Sequence, residues 1–308
     1  MRNKLVDTLY KISKNDRDVV VITADLGFGI FEKFESKFPK QFINCGVAEQ
    51  NMTMIASGLA LEGKKVFTYS IGNFPTLRCL EQIRNDVCYH KLNVTIIGMG
   101  GGFTYGQLGM SHHATEDLSI LRSLPEMTVV APSSLYQVEK SVEELYKLDG
   151  PSYLRIEKNA AIIDSEIQEF HLGRSYTIRD GNDVTMVTTG GILSEVIKSA
   201  EILSSKGIES RIISMPTVKP IDKKTILELS NQEMGIISIE ENNTNGGLGS
   251  AIAEVCLENK VRPRFFYRIG LNDIYPSIVG DQDFLRRHYK MDANSIANRI
   301  IEVISASK

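Results

Sequence analysis

Short apolar runs alternate with amphipathic stretches along all 308 residues of the chain. The runs are continuously apolar, which is typical of strands buried on both faces of a parallel sheet. The stretches between them repeat apolar residues at spacings of three and four, which predicts helices. In the first half of the chain we predict strands at residues 17–23, 65–69, 92–98, 127–132 and 151–156, and helices at 50–62, 76–90 and 135–148.

The second half repeats this organisation after a break at residues 159–180, which we interpret as a linker. Strands are predicted at residues 183–189, 210–214, 235–240 and 264–268, and helices at 193–206, 223–229, 250–258 and 293–305. Alternating strands and helices favour a parallel sheet covered on both sides. We therefore predict an α/β protein of two three-layer domains with mainly parallel sheets, at residues 1–165 and 166–308.

Composition narrows the class of protein. Hydrophobic residues make up 42% and charged residues 24% of the chain, as in soluble globular proteins, and the net charge of −3 lacks the basic footprint of nucleic-acid binding. The four cysteines show no metal-ligand spacing, and we expect reduced thiols. The sequence shows no apolar signal segment and no 18-residue apolar run, so we expect a cytoplasmic protein that does not enter a membrane.

One carboxylate stands between a strand-like segment and a helix rich in small residues. Glu49 lies in Gly46–Met52, after the apolar residues 41–45 and at the start of the helix predicted at 50–62. A partly desolvated carboxylate there can share a proton with a ligand nitrogen. A glutamate that caps the first turn of a helix is the alternative interpretation.

Two adjacent histidines, His112 and His113, follow a glycine-rich segment at residues 98–109. We expect that segment to be a mobile loop. It has neither a Walker pattern nor a dinucleotide fingerprint, which argues against an independent nucleotide site. A lone histidine is more often structural than catalytic, but the pair after such a loop favours function. A second glycine turn, at residues 246–249, is interpreted as packing at the start of a helix.

These motifs resemble those of transketolases and 1-deoxyxylulose-5-phosphate synthases, which are thiamine-diphosphate enzymes. The resemblance rests on Gly46–Met52 and on further segments that come in the family's order and cover the chain from about residue 5 to its end. These are Ala24-Asp25-Leu26, Ser111-His112-His113, Leu121–Pro125, Lys219–Asp222, and Glu240-Glu241-Asn242 with Gly246-Gly247.

The resemblance implies roles for several side chains. Glu49 would hydrogen-bond N1′ of the cofactor's aminopyrimidine, and His112 would bind substrate oxygens. His113 stands where the family has Gln, and it too would bind substrate. Three residues would contact the cofactor: Asp25 on the thiazolium side, Phe74 in an aromatic wall, and Arg78. A loop turn for Asp25 and a core ring for Phe74 remain the alternatives.

Three positions depart from the family's pattern. Leu108 replaces an Asp that family members acting on sugar phosphates carry, Gly100 replaces a transketolase His, and Lys158 stands near a phosphate-gripping Arg. Arg78 and Arg155 remain as anion partners. An Arg-to-Lys change at a bidentate site is not conservative. We therefore hypothesise that the donor or acceptor differs from the usual pentose phosphates.

The family's Gly-Asp-Gly magnesium segment does not occur in this sequence. The resemblance then implies that Mg²⁺ and the diphosphate are bound through a separate N-terminal transketolase subunit, in an α₂β₂ heterotetramer. The predicted function is transfer of a two-carbon ketol unit between a ketose and an aldose, as the C-terminal subunit of a split enzyme. The alternatives are the β subunit of the decarboxylating component of a 2-oxoacid dehydrogenase and a non-catalytic assembly partner.

Overall fold

The computed structural model describes residues 1–163, 169–232 and 234–307. The boundary predicted between residues 165 and 166 lies outside the described residues. The strands are β1 (Val19–Thr23), β2 (Phe42–Asn44), β3 (Lys65–Ile71), β4 (Val94–Met99), β5 (Thr128–Val130), β6 (Ser152–Ile156), β7 (Tyr176–Arg179), β8 (Val184–Thr188), β9 (Ser210–Ser214), β10 (Thr217–Lys219), β11 (Gly235–Asn243) and β12 (Phe266–Leu271).

The helices mostly occupy the predicted intervals between strands. They are α1 (Arg2–Ser13), α2 (Glu32–Lys37), α3 (Glu49–Leu61), α4 (Leu80–Gln82), α5 (Asp117–Ser123), α6 (Leu135–Lys147), α7 (Leu193–Ser204), α8 (Lys223–Ser230), α9 (Leu248–Glu258), α10 (Gln282–His288) and α11 (Ala293–Ala306). Short 3₁₀ turns lie at Leu77–Cys79, Gly106–Leu108 and Gly190–Ile192.

The first sheet has seven strands in the order β10-β5-β6-β4-β3-β1-β2. All neighbours are parallel except β10, which pairs antiparallel with β5. Alternate residues of β1 point to opposite faces. Val20 and Ile22 pack in one core cluster with residues of α3 and α5, while Val19 and Val21 pack in another with residues of α1 and α6. The sheet is therefore the middle layer of three.

The second sheet has five strands in the order β12-β11-β8-β9-β7, and only β7 is antiparallel to its neighbour. Met186 of β8 packs with residues of α7 and α11, and Val187 packs with residues of α8 and α9. Two mainly parallel three-layer α/β domains are thus confirmed.

Two predicted elements differ from the structure. The helix expected over residues 76–90 is a 3₁₀ turn, the single turn of α4 and a π-helical segment at Ile83–Cys88. Periodicity in sequence does not distinguish these forms, because all three present a buried face at spacings of three to five. The predicted linker at 159–180 contains β7, whose residues pair with the edge of the second sheet.

The two domains also share a sheet. Strand β10 follows β9 of the second domain but adds to the edge of the first sheet beside β5. Lys219 at the end of β10 donates to the carbonyl oxygens of Arg122 and Leu124 at the end of α5. Along the part of the chain described, no helix has the length and apolar character needed to cross a bilayer.

Candidate active site

Glu49 is the first residue of α3, directly after a short loop from β2. Its side chain is only 2% exposed, and its Oε2 accepts a hydrogen bond from Nη1 of Arg78 at 2.7 Å. The side chain of Arg78 is 46% exposed, so the pair joins a buried carboxylate to the surface. A negative charge at a helix N-terminus is also favoured by the helix dipole. The capping interpretation therefore accounts for the position of Glu49 but not for its pairing.

An aromatic ring joins Arg78 to His112. The guanidinium carbon of Arg78 lies 4.3 Å from the ring centroid of Phe74, and the His112 ring meets the same ring edge-on at 5.1 Å. Desolvation, with smaller effects from His113 and Arg78, lowers the pKa of His112 below its ordinary value of 6.5. His112 is therefore held neutral near pH 7. The structure thus brings four predicted residues, Glu49, Phe74, Arg78 and His112, into one cluster.

His113 points away from this cluster. Its Nε2–H donates to the carbonyl oxygen of Gly106 at 3.0 Å, and its own carbonyl oxygen accepts from the side-chain amide of Asn73. The ring is buried against Phe103, with the two centroids 5.4 Å apart. Its side chain is therefore placed to hold the loop rather than to meet a substrate.

Asp25 lies where β1 ends, with a positive φ of 55°. The side-chain oxygen of Asn44, at the end of β2, accepts from the backbone N–H groups of Asp25 and Gly46, both at 3.0 Å. The amide of Asn44 donates in turn to Oδ1 of Asp25 at 3.2 Å. This bridge fixes the two loops before Glu49, and the side chain of Asp25 remains partly exposed beside them.

Lys158 and Leu108 line a cleft of about 960 Å³, whose lining includes no residue of the Glu49 cluster. The cleft runs between α1, the loop at residues 104–108 and the start of α10. Its charged lining is mixed, with Arg2, Lys4 and Lys158 on the positive side and Asp7, Asp281 and Asp283 on the negative. Lys158 is exposed and can meet an anion there.

Arg155, expected as an anion partner, is instead buried with its charge already paired. Its Nη1 donates to Asp117 at 3.3 Å, its Nη2 donates to the carbonyl oxygen of Glu241 at 2.8 Å, and its Nε lies 3.7 Å from Glu157. Burial opposes the charge of Arg155, but the surrounding carboxylates outweigh this effect and raise its pKa. A substrate anion would have to displace these carboxylates.

The residues of the Glu49 cluster can be compared with what the aminopyrimidine end of thiamine diphosphate requires. A buried carboxylate suits a ring N–H such as protonated N1′ of an aminopyrimidine, because it accepts without competition from water. The ring of Phe74 and the neutral His112 provide an apolar and a weakly polar wall beside it. The residues present therefore fit the pyrimidine end of the cofactor. Among residues 1–163, 169–232 and 234–307, no group of three His, Cys, Asp or Glu could hold a metal ion.

The roles of three polar residues escaped the sequence reasoning: Asn44, Asn73 and Glu241. Each acts on a backbone group of a loop that carries a predicted residue, which no local pattern reveals. Of these three residues, only Asn44 could have been suspected from the sequence. It lies at a predicted strand end, and ligands bind at the carboxyl ends of parallel strands.

Comparison with known families assigns both halves of the chain. Residues 1–162 match the transketolase pyrimidine-binding domain, and residues 173–296 match the transketolase C-terminal domain. The chain is 34% identical to one subunit of the apulose-4-phosphate transketolase of Phocaeicola vulgatus, over 98% of this chain and 97% of that protein. It is 35% identical to one subunit of the 6-deoxy-6-sulfo-D-fructose transketolase of a Clostridium species, over 98% of this chain and 94% of that protein.

A solved structure shows the same arrangement of both domains. It is described as a split-gene transketolase, an inactive tetramer with the subunit composition written beta4, and it is 30% identical to this chain. The two superpose with a TM-score of 0.88, covering 100% of this chain and 98% of the other. The chain therefore belongs to the transketolase family, a thiamine-diphosphate-dependent family of enzymes, and consists of its pyrimidine-binding and C-terminal parts.

Proposed function

We propose that this chain transfers a two-carbon ketol unit between a ketose and an aldose when a separate N-terminal subunit completes its site. The observation that carries the proposal is Glu49, a carboxylate that is 2% exposed in a cluster that also contains Phe74 and His112. The relatives named as transketolase subunits, rather than as whole transketolases, support the division into two chains.

Glu49 has a defined task in this proposal. Thiamine diphosphate, when bound, supplies the nucleophilic carbon that accepts the ketol unit. Glu49 accepts a hydrogen bond from N1′ and keeps a proton at that atom, while Phe74 excludes water beside it. Arg78 donates to the carboxylate at 2.7 Å and compensates its charge, while part of its own side chain stays at the surface.

His112 is the proposed partner of the substrate. Its lowered pKa keeps the imidazole neutral, so that it can both donate to a substrate oxygen and accept a proton from one. The adjacent hydroxyl of Ser111 lies 3.0 Å from its Nδ1 and orients the ring.

Large apolar side chains are exposed in the segments next to Glu49 and Arg78, which supports a second subunit. Val47 is 77% exposed and Phe28 is 72% exposed, and Met54 and Leu77 are exposed near Glu49 and Arg78 in sequence. Exposed apolar side chains that lie together as a patch mark a surface that a partner covers. We propose that the N-terminal transketolase subunit covers it and supplies the site for Mg²⁺ and the diphosphate, in an α₂β₂ assembly.

The substrate is proposed to be a ketose with an anionic end. Lys158 supplies a mobile point charge to a cleft of about 960 Å³, which Leu108 also lines. The two relatives above are named for a sugar phosphate and a sulfonated sugar. An ammonium group tolerates either anion more readily than a bidentate guanidinium would. The donor or acceptor is further proposed to differ from the usual pentose phosphates. Steady-state kinetics that matched an ordinary transketolase on xylulose 5-phosphate and ribose 5-phosphate would remove that part of the hypothesis.

The test of the function is the Glu49→Gln variant in the complex with the N-terminal subunit. Glutamine keeps the shape of the side chain but does not hold the proton at N1′ as a carboxylate does. We expect the rate of ketol transfer to fall by more than about tenfold, which corresponds to roughly 1.4 kcal/mol of transition-state stabilisation. Glu62→Gln, at the exposed far end of α3, is the matched control and should retain full activity. A Glu49→Gln complex with activity within tenfold of wild type would contradict the assignment.

A further inference from the structure

The glycine-rich loop that leads to His112 is packed on the second domain. Strand β4 ends at Met99, and the loop runs from Gly100 to Thr115 before α5 begins. Its first part is buried, although a mobile loop was expected from its glycines. A Cβ atom at Gly101 would collide with the side chain of Arg155, and one at Gly102 would collide with that of Glu241. These two glycines therefore permit close approach to buried charged groups.

Glu241 of β11 makes the central contact with this loop. Its Oε1 accepts the backbone N–H of Phe103 at 2.6 Å and the side-chain amide of Gln282 at 2.8 Å. Its Oε2 accepts Nε of Arg286, and both side chains of that ion pair are almost fully buried. The carboxylate is thus fixed by two residues of α10 and holds a backbone group of the first domain.

The same domain holds the loop at further points. The ring of Phe103 stacks on that of Tyr289, with centroids 5.4 Å apart. The N–H of Asn243 donates to the carbonyl oxygen of Thr115 at 2.6 Å, at the far end of the loop. Both ends of the segment that carries His112 are therefore tied to β11 and its neighbours.

A series of contacts connects Phe103 to His112 and His113. Gly102, the preceding residue, exchanges two backbone hydrogen bonds with Ala114, at 2.7 and 3.0 Å. The ring of Phe103 meets the ring of His113 edge-on, and His113 in turn donates to Gly106. His112 lies between these anchored residues, and its own N–H donates to Gly109 at 2.9 Å.

We infer that Glu241 is a positioning residue: with Arg286 it holds the backbone of Phe103 and so sets the place of His112 against Phe74. This inference rests on the proposed function of His112 as the partner of the substrate. It gives the second domain a part in the reaction although none of its side chains belongs to the Glu49 cluster.

The test replaces the ion pair by apolar residues of similar length. The double variant Glu241→Met/Arg286→Met removes both charges of the pair together, a replacement that folded proteins often tolerate. We expect amide hydrogen exchange at residues 103–113 of the chain to become at least about tenfold faster, with a smaller acceleration in the rest of the chain. In the complex with the N-terminal subunit we expect kcat to fall by at least about tenfold, with KM changed by less than about threefold.

A matched control and a rescue variant separate positioning from general loss of structure. Arg122→Met/Glu254→Met removes another ion pair between the domains, 2.7 Å long, that does not touch the loop, and it should leave loop exchange and kcat unchanged. Glu241→Gln/Arg286→Met returns an acceptor for the Phe103 N–H and should recover most of kcat. Should the double variant not fold, Tyr289→Leu removes the stacked ring instead, and the same direction of change is expected.

Unchanged loop exchange in the double variant, an equal loss of kcat in the control, or no recovery in the rescue variant would each overturn the inference. An inactive wild-type complex would contradict the proposed function alone. The exchange measurement would then still decide whether Glu241 positions the loop.

Discussion

Glu49 and His112 differ in their burial and in the charges that lie beside them. Glu49 is buried and paired with a guanidinium, so its charge is compensated where water is excluded. His112 is half-buried beside Phe74 and near the positive charge of Arg78, which disfavours the imidazolium form. His112 therefore reaches pH 7 in the form that the proposed reaction uses, a neutral imidazole.

The lowered pKa of His112 predicts the acid limb of the pH profile. Because a neutral His112 is the active form, kcat/KM of the complex should stay high down to a pH below 6.5, the ordinary value for histidine. The unfolded chain would take up a proton at this residue before the folded chain does. His112 therefore makes folding less favourable as the pH falls below about 6.5.

A titration of the His112 ring by NMR, in the chain without its partner, checks this directly. The exposed ring of His90, which contacts Tyr89 and lacks the Phe74 contact, serves as the internal reference. A His112 pKa at or above 6.5 would contradict the expectation.

At the scale of single elements, the side chain of Asp222 joins the start of a helix to a neighbouring strand. Asp222 caps α8 by accepting the N–H of Thr225 at 3.2 Å. Its other oxygen accepts both the N–H and the hydroxyl of Ser175 at 2.9 Å, next to β7. One buried carboxylate therefore fixes a helix start, an edge strand and the chain between β10 and α8.

Asp222→Ala should lower the free energy of unfolding by about 1–2 kcal/mol, since a cap and buried donors lose their acceptor. Desolvation opposes ionisation of Asp222, but the hydrogen bonds from Ser175 and Thr225 outweigh it and lower its pKa. The carboxylate therefore contributes its stability above its ordinary pKa of 3.8, and this contribution is lost as the pH falls through the lower folded value.

Urea unfolding at pH 7 and at pH 3 measures both effects. Asp281→Ala removes a cap of α10 that makes a single exposed bond of 2.7 Å to Phe284, and its cost should be smaller. An Asp222→Ala variant that unfolds like wild type at pH 7 would show that the cap is not stabilising.

At the scale of the whole molecule, the two domains are joined by charge as well as by β10. The buried group that spans β6, α5, β11 and α10 consists of Asp117, Arg155, Glu157, Glu241 and Arg286. Tyr153 donates to Asp117 at 2.6 Å and extends the group into the first core. Each charge in it depends on the others, because water does not reach them.

Arg155→Leu should therefore destabilise the chain by about 3–5 kcal/mol, since it leaves buried carboxylates without a partner. Arg122→Leu, which breaks the more exposed pair with Glu254 and a hydrogen bond to the carbonyl oxygen of Gly246, should cost less, about 1–2 kcal/mol. Urea unfolding of the two variants compares them. Similar losses in both would show that burial does not set the strength of these pairs.

The isolated chain is expected to bind the cofactor weakly. Calorimetry should detect little binding of thiamine diphosphate with Mg²⁺ until the N-terminal subunit is added, because the described residues offer no metal site. Glu49→Gln, measured in the same way in the complex, controls for binding through the pyrimidine end. Tight Mg²⁺-dependent binding without a partner would contradict the split site.

Much of this architecture could be predicted from local pattern. Continuous apolar runs such as Val19–Thr23 and Val184–Thr188 indicate buried parallel strands, because only a sheet covered on both faces hides every side chain of a strand. Glu49 and His112 could be proposed as candidate site residues because they stand in recognisable motifs directly beside a helix start and a loop.

Tertiary structure decided which charged residues are buried in ion pairs and which are exposed to a ligand. Arg155 and Lys158 lie three positions apart, and the sequence alone suggested that both bind an anion. The fold buries Arg155 among carboxylates at β6 and leaves Lys158 in the cleft. The roles of Glu241 and Asn73 came from contacts with residues distant in sequence. The sequence alone determined the fold and the chemical identity of the candidate groups, because these depend on local periodicity and residue type. Only the folded chain decided their pairing, since burial and distance arise when remote segments meet.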